Sequence, residues 1–197
     1  MYRLFLKRVI DIILALLGMI ICFIPMMIIA LVVKITSKGP IIFKQERLGK
    51  RQKKFTIYKF RTMIDNAYEI GGIATKSDDV RITKVGAFLR RKSLDELPQM
   101  FNILKGDMAI IGPRPILPME FEPYKDNEQY CRRYDVLPGL FCTVDIDYRS
   151  NSNRDFQFLM DIDYVDHMNF WLDVKTFFSI ISPVVMGKNV YKEEVKK

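Results

Sequence analysis

The sequence predicts an α+β chain that is predominantly helical. Residues 1–36 form an N-terminal membrane helix, 37–187 a small membrane-apposed domain of amphipathic interfacial helices and short strands, and 188–197 a charged tail. Three observations carry this expectation. Ile12 to Val33 contains no charged residue, enough to cross a hydrocarbon core of about 30 Å as a helix. Later segments show apolar residues at helical spacing, interrupted by short runs of β-formers. The net charge is +8, from 31 Lys plus Arg against 23 Asp plus Glu. Such a surface attracts anions, whether nucleic acid, lipid headgroups or phosphorylated substrates.

The apolar segment is too long for a cleaved signal peptide, and Lys34 closes it with no small-x-small site. Its flanks are basic on both sides. Arg3, Lys7 and Arg8 precede it, and Lys34, Lys38, Lys44, Arg47 and Lys50 follow it. The positive-inside rule places both flanks at the cytoplasmic face, which a straight span cannot satisfy and a re-entrant helix can. Pro25 lies mid-run, where it removes a helix hydrogen bond and favours a bend. A single-pass helix with a tolerated proline remains the plainer alternative. Asp11 at the membrane edge is placed to pair with Lys7 or Arg8 one turn back.

Beyond the turn at Ser37-Lys38-Gly39-Pro40, Ile41–Phe43 and Phe55–Tyr58 read as short strands, with basic residues ending at Lys59-Phe60-Arg61. Residues 65–80 read as a polar loop and 82–92 as a helix. Leu97, Met100, Phe101 and Leu104 mark an amphipathic helix that Gly106 ends. Gly112-Pro113-Arg114-Pro115 is a rigid loop, 117–135 reads as helix, and Leu137-Pro138-Gly139 breaks the chain. Cys142–Tyr148 alternates like a strand. A last helix is expected from Tyr164 to Ile181, its aromatic stripe fitting either an ordinary core or the bilayer surface, with Pro183 as its stop.

The chemistry-bearing residues are few. Three cysteines without a CxxC pair argue against a disulfide framework or a cysteine zinc site, and the single His167 leaves little for a multi-histidine metal site. No P-loop or GxGxxG is present. Asp95-Glu96 is the first candidate. Ser93 with Glu96 fits a capping box, and a second register makes Asp95 the N-cap with Pro98 in the first turn. Either puts a carboxylate at a helix N-terminus, where the dipole lowers its pKa. An ionised carboxylate there serves as a nucleophile toward phosphorus or a ligand for magnesium. Arg114, between two prolines, is placed to grip phosphate. Lys59, Arg61, Arg81, Arg90 and Arg91 extend a phosphate pocket, and Asp145, Asp147, Asp161 and Asp163 are further acids.

In order and spacing, several stretches resemble the bacterial sugar transferases known as monotopic phosphoglycosyl transferases. They include Lys7-Arg8-Val9-Ile10-Asp11, Ser37–Gly49, Tyr58–Met63, Asp79–Gly86, Ser93–Gln99, Gly112–Pro115 and Pro138-Gly139. The resemblance implies transfer of a phosphosugar from a nucleotide diphosphate sugar, usually UDP-linked, to undecaprenyl phosphate with release of UMP. It implies Mg²⁺ and a covalent aspartyl-phosphosugar intermediate, with Asp95 as nucleophile and Glu96, beside Asp95, holding the metal. Lys59, Arg114 and Asp161 match positions the family needs for activity, and Arg149 is retained from its Gly-Arg. The N-terminal helix is then re-entrant, in the bacterial inner membrane with the catalytic domain on the cytoplasmic face. Membrane lipids and both substrates are the expected partners, nucleic acid is not, and a dimer is left open. Two departures stand out: Ile24 precedes Pro25 where the family carries Ser, and Asp145 stands where it carries Gln. The competing reading is a non-catalytic, membrane-tethered basic domain that binds anionic lipid or nucleic acid.

Overall fold

A computed structural model describes residues 2–72, 79–144 and 153–185. After a single π-helical turn at Tyr2–Leu6, the apolar run forms one helix, α1 (Lys7–Thr36), which continues through Pro25. It is the one helix among the described residues long and apolar enough to cross a membrane. Straight, its 30 residues reach about 45 Å. Yet a single stripe of it meets the rest of the protein at both ends. Lys7, Asp11 and Ala15 are buried near its start, and Val33 packs with Phe60 and Leu89 near its finish. Between and around them Leu17, Ile20, Ile21, Phe23, Ile24 and Ile28 are exposed. That exposed apolar face is the one a bilayer would cover.

Polar side chains fasten the start of α1. Lys7 Nζ donates to Asp173 Oδ2 at 2.6 Å, and the Tyr2 and Tyr164 hydroxyls donate to the same carboxylate. Asp11 stands 3.7 Å from Lys7, as expected, and accepts from the Ile110 N–H at 3.1 Å. Arg8 instead donates to the carbonyls of Leu104 and Met108. Those carbonyls lie at or just beyond a helix C-terminus, where a cation is favoured.

The two runs of β-formers extend into a hairpin, β1 (Ile42–Leu48) with β2 (Lys54–Phe60), antiparallel from Ile42↔Phe60 to Leu48↔Lys54. A short α2 (Ala67–Gly71) and then α3 (Lys84–Arg91) follow, the latter capped by the Thr83 hydroxyl accepting from the Gly86 N–H. Helix α4 (Gln99–Lys105) ends at Gly106, whose φ of 97° suits glycine. Its apolar stripe is less deeply buried than its polar face. Phe101 is half exposed, whereas Asn102 is fully buried and stitches α4 to β2, donating to Thr56 O and accepting from Tyr58 N. Strand β3 (Ala109–Ile111) leads to α5 (Pro118–Phe121) and α6 (Glu128–Cys131).

Three expectations are corrected here. The helix over 117–135 is broken into α5, α6 and two 3₁₀ turns, because Pro123 supplies no N–H and Asn127 starts α6 as its cap. Of the strand expected at Cys142–Tyr148, residues 142–144 are not strand, and a strand lies just before them, β4 (Gly139–Phe141), parallel to β3. Gly139 opens it because the chain crosses Gly112 there, and a Cβ would sit 2.1 Å from the Gly112 nitrogen; residues 145–148 lie outside the described ones. The single last helix is two, α7 (Arg154–His167) and α8 (Phe170–Val185). Asn169 separates them, donating to His167 O and accepting from Leu172 N, and α8 runs past Pro183. The charged tail also lies outside the described residues. Phe170, Trp171 and Phe178 on α8 are exposed, and Phe170 meets the Tyr2 ring just before α1.

Candidate active site

A cavity of about 670 Å³ opens between the β1–β2 hairpin, α3, the Ser93–Glu96 turn and the Pro113–Pro115 loop. Seven of the anticipated residues line it: Lys59, Arg61, Arg81, Arg90, Asp95, Glu96 and Arg114. Seven cationic side chains there face four carboxylates, so the cavity favours an anionic guest.

Asp95 and Glu96 sit on one 3₁₀ turn, Leu94–Glu96. Neither capping register forms. Ser93 follows α3 directly and adopts a left-handed φ of 53°, acting as the exit of α3 rather than the start of α4. Its side chain makes no cap hydrogen bond, and Pro98 occupies the N-cap of α4. The pKa expectation therefore reverses. Asp95 is buried, and burial pushes its carboxyl up, with Glu96 adding to the rise; Lys59 and Arg90 oppose it. Glu96 is ion-paired to Lys59 Nζ at 2.7 Å, both side chains about one quarter exposed. Lys59 and Phe60 alternate along β2, so Lys59 faces the cavity while Phe60 packs beneath α1.

Arg61, Arg90 and Arg81 are each oriented by hydrogen bonds from the guanidinium. Arg61 donates to Ser37 O at 2.6 Å, just past the end of α1, and Arg90 Nε donates to the Thr62 hydroxyl at 2.8 Å. Arg81 is buried, ion-paired to Asp79, and donates to Ala67 O and Gly72 O, organising the end of the polar loop. Asp79 is held down to about 2 by Arg81.

Asp161 does not line the cavity. It lies behind the wall, 1% exposed, ion-paired to Arg133 and accepting from the Arg114 N–H at 3.4 Å. Asp163 is exposed beside His167. Arg149, Asp145 and Asp147 lie outside the described residues.

Sequence reasoning missed a second group on the wall. Arg47 donates to Gln45 Oε1 and to Pro115 O and stands 3.8 Å from Glu120; burial pulls its guanidinium down to about 10. Arg154 from α7 donates to the other Glu120 oxygen at 2.8 Å. Arg47 was visible only as one of many basic flank residues. Its alternation with Gln45 along β1 is the signal that both face one side.

No group of three or more metal-ligating His, Cys, Asp or Glu occurs among the described residues. Two adjacent carboxylates still suit magnesium, which takes one or two carboxylates and completes its shell with water and substrate phosphates. The repulsion between buried Asp95 and half-buried Glu96 is one that a divalent cation would relieve.

The sequence profile of the bacterial sugar transferases matches residues 2–187. The uncharacterized sugar transferase EpsL of Bacillus subtilis (strain 168) is 39% identical over 159 residues, 81% of this chain and 77% of that protein. The UDP-N-acetylgalactosamine-undecaprenyl-phosphate N-acetylgalactosaminephosphotransferase of Aeromonas hydrophila is 36% identical over 93% of this chain. The UDP-glucose:undecaprenyl-phosphate glucose-1-phosphate transferase of Klebsiella pneumoniae is 37% identical over 94%. The chain spans less than half the length of these last two, 44% and 41%.

Proposed function

This chain belongs to the bacterial sugar transferases, and from that premise we propose that it transfers a sugar 1-phosphate from a nucleotide diphosphate sugar, UDP-linked, to undecaprenyl phosphate. The observation that carries the reading is a buried carboxylate, Asp95, in a cation-lined cavity beside the end of an exposed apolar helix. Relatives named for this reaction support the substrate class.

In the first half-reaction an Asp95 carboxylate oxygen attacks the sugar-bearing phosphorus. The bond from that phosphorus to the bridging oxygen breaks, and UMP leaves with the electron pair. In the second, a phosphate oxygen of undecaprenyl phosphate attacks the same phosphorus and frees Asp95. Burial deprives the carboxylate of its water shell, while Lys59 and Arg90 keep its ionised form accessible. Arg47, Arg114 and Arg154 on one wall and Arg61 and Arg90 on the other offer charge to the phosphates. Glu96 with Asp95 would hold Mg²⁺, which neutralises diphosphate charge when bound.

Helix α1 is read as re-entrant on the cytoplasmic face of the inner membrane. The stripe that meets the domain at both ends supports this, since a spanning helix would carry one end away. Tags before Tyr2 and after Val185 should report the same side, and opposite sides would end that reading. The reaction is tested by a UMP-release screen across UDP-sugars with undecaprenyl phosphate and Mg²⁺. Release with one sugar is expected. Salt-sensitive lipid or nucleic-acid binding without release from any sugar would favour a non-catalytic basic domain instead.

A further inference from the structure

We infer that Arg133, which does not line the cavity, is a positioning residue for Arg114. Prolines carry no N–H, so Pro113-Arg114-Pro115 has a single backbone donor. That donor, the Arg114 N–H, points to Asp161 Oδ1 at 3.4 Å. The Arg114 carbonyl accepts from Arg133 Nη2 at 2.7 Å. Arg133 and Asp161 are themselves joined, Nε and Nη2 reaching Oδ2 at 3.0 and 2.5 Å. One ion pair thus grips both backbone polar atoms of Arg114, while Pro113 O accepts from Gly139 N at 2.9 Å. The clamp is rigid. Its side chains are 1% and 2% exposed, and the Arg133 guanidinium lies 5.0 Å from the Tyr134 ring centroid and 4.8 Å from that of Phe158. A pair buried this deeply is a poor way to gain stability, because apolar side chains of similar volume often serve as well. Holding the backbone of a phosphate-facing arginine in place is a role that apolar side chains could not fill.

This inference rests on the proposed reaction, and a double-mutant cycle in the full chain, reconstituted in nanodiscs, tests it apart from that reaction. Arg133→Met, Arg114→Ala and the double variant are compared by kcat/KM for the UDP-sugar, by affinity for UDP, and by thermal unfolding. Arg133→Met is expected to lower kcat/KM by about 10–100-fold, the scale of a small misplacement of a binding group. In the Arg114→Ala background it should cost nothing further in kcat/KM or UDP affinity, although it lowers the unfolding temperature in both. Equal losses in both backgrounds would mean a structural role only and overturn the inference. Arg133→Lys covers the case in which Arg133→Met does not fold. Lys keeps a charge opposite Asp161, but its shorter side chain ends near the place of Nε and falls short of Nη2, the one nitrogen that contacts Arg114 O, so its kcat/KM stays low; full activity in it also overturns the inference. A wild type that binds UDP and releases no UMP strikes the proposed reaction instead, and the cycle is then read on UDP affinity.

Discussion

Replacing Asp95 by Asn should stabilise the fold while removing its chemistry. Burial lifts the Asp95 carboxyl above the ordinary carboxylate range, with Glu96 beside it adding to the rise. The folded chain therefore holds that proton more tightly than the unfolded chain does, and the ionised carboxylate costs stability. The cost is complete above the folded-state pKa, shrinks as pH falls through it, and is gone below the unfolded value of about 4. Asn has nearly the same shape and no charge. Relief of a strained functional residue is typically worth about 1 kcal/mol, which for a chain of this size is about 2–4 °C in Tm. The assay is thermal unfolding of the nanodisc-embedded chain from pH 7.5 down to about pH 4, with a chelator present so that bound cation does not mask the repulsion. Asp95→Asn should melt higher at pH 7.5, with the gain narrowing as pH falls toward the unfolded-state value. A lower Tm at pH 7.5, or a gain indifferent to pH, would refute the account of Asp95 as a buried, strained carboxylate.

Further expectations follow from other contacts. Glu96→Gln removes the quarter-exposed ion pair with Lys59; a stability loss of no more than about 1 kcal/mol is expected from thermal unfolding, together with a raised Mg²⁺ requirement in a metal titration of UMP release. Asp173→Asn takes from the buried Lys7 ammonium its 2.6 Å partner, leaving Asp11 at 3.7 Å, and weakens the Tyr2 and Tyr164 contacts. It should cost about 3–5 kcal/mol, read as a lower Tm and faster hydrogen exchange in the first turns of α1. Gly86→Ala puts a Cβ 1.9 Å from Thr62 O, and since the Thr62 hydroxyl also holds Arg90, the variant should lose about 1–3 kcal/mol of stability and much of its activity.

Much of this site was legible because its chemistry clusters in short stretches. Asp95-Glu96 stood out as paired acids, Lys59 and Arg61 as alternating residues on a β run, and Arg114 as an arginine between prolines. The fold brings all five to one cavity. What stayed hidden was set by partners distant in sequence. Asn102 and Arg133 are polar residues buried because Tyr58 and Asp161 meet them, and a periodicity that equates burial with hydrophobicity places them outside. The Ser93–Glu96 spacing fits a capping box, yet α3 ends at Arg91, is capped by Lys92 and takes Ser93 as its left-handed exit. The end of one helix thus overrode the start signal of the next. The same local bias hid the break at Asn169 inside a long apolar stripe.

A covalent phosphosugar on Asp95 is sought by intact-mass measurement of the protein incubated with Mg²⁺ and the UDP-sugar that supports UMP release, in the absence of undecaprenyl phosphate. The wild type should gain the mass of one sugar phosphate and lose it when undecaprenyl phosphate is supplied, and Asp95→Asn should gain none. An adduct on Asp95→Asn, or UMP release that requires both substrates together with no adduct on the wild type, would rule out Asp95 as the nucleophile.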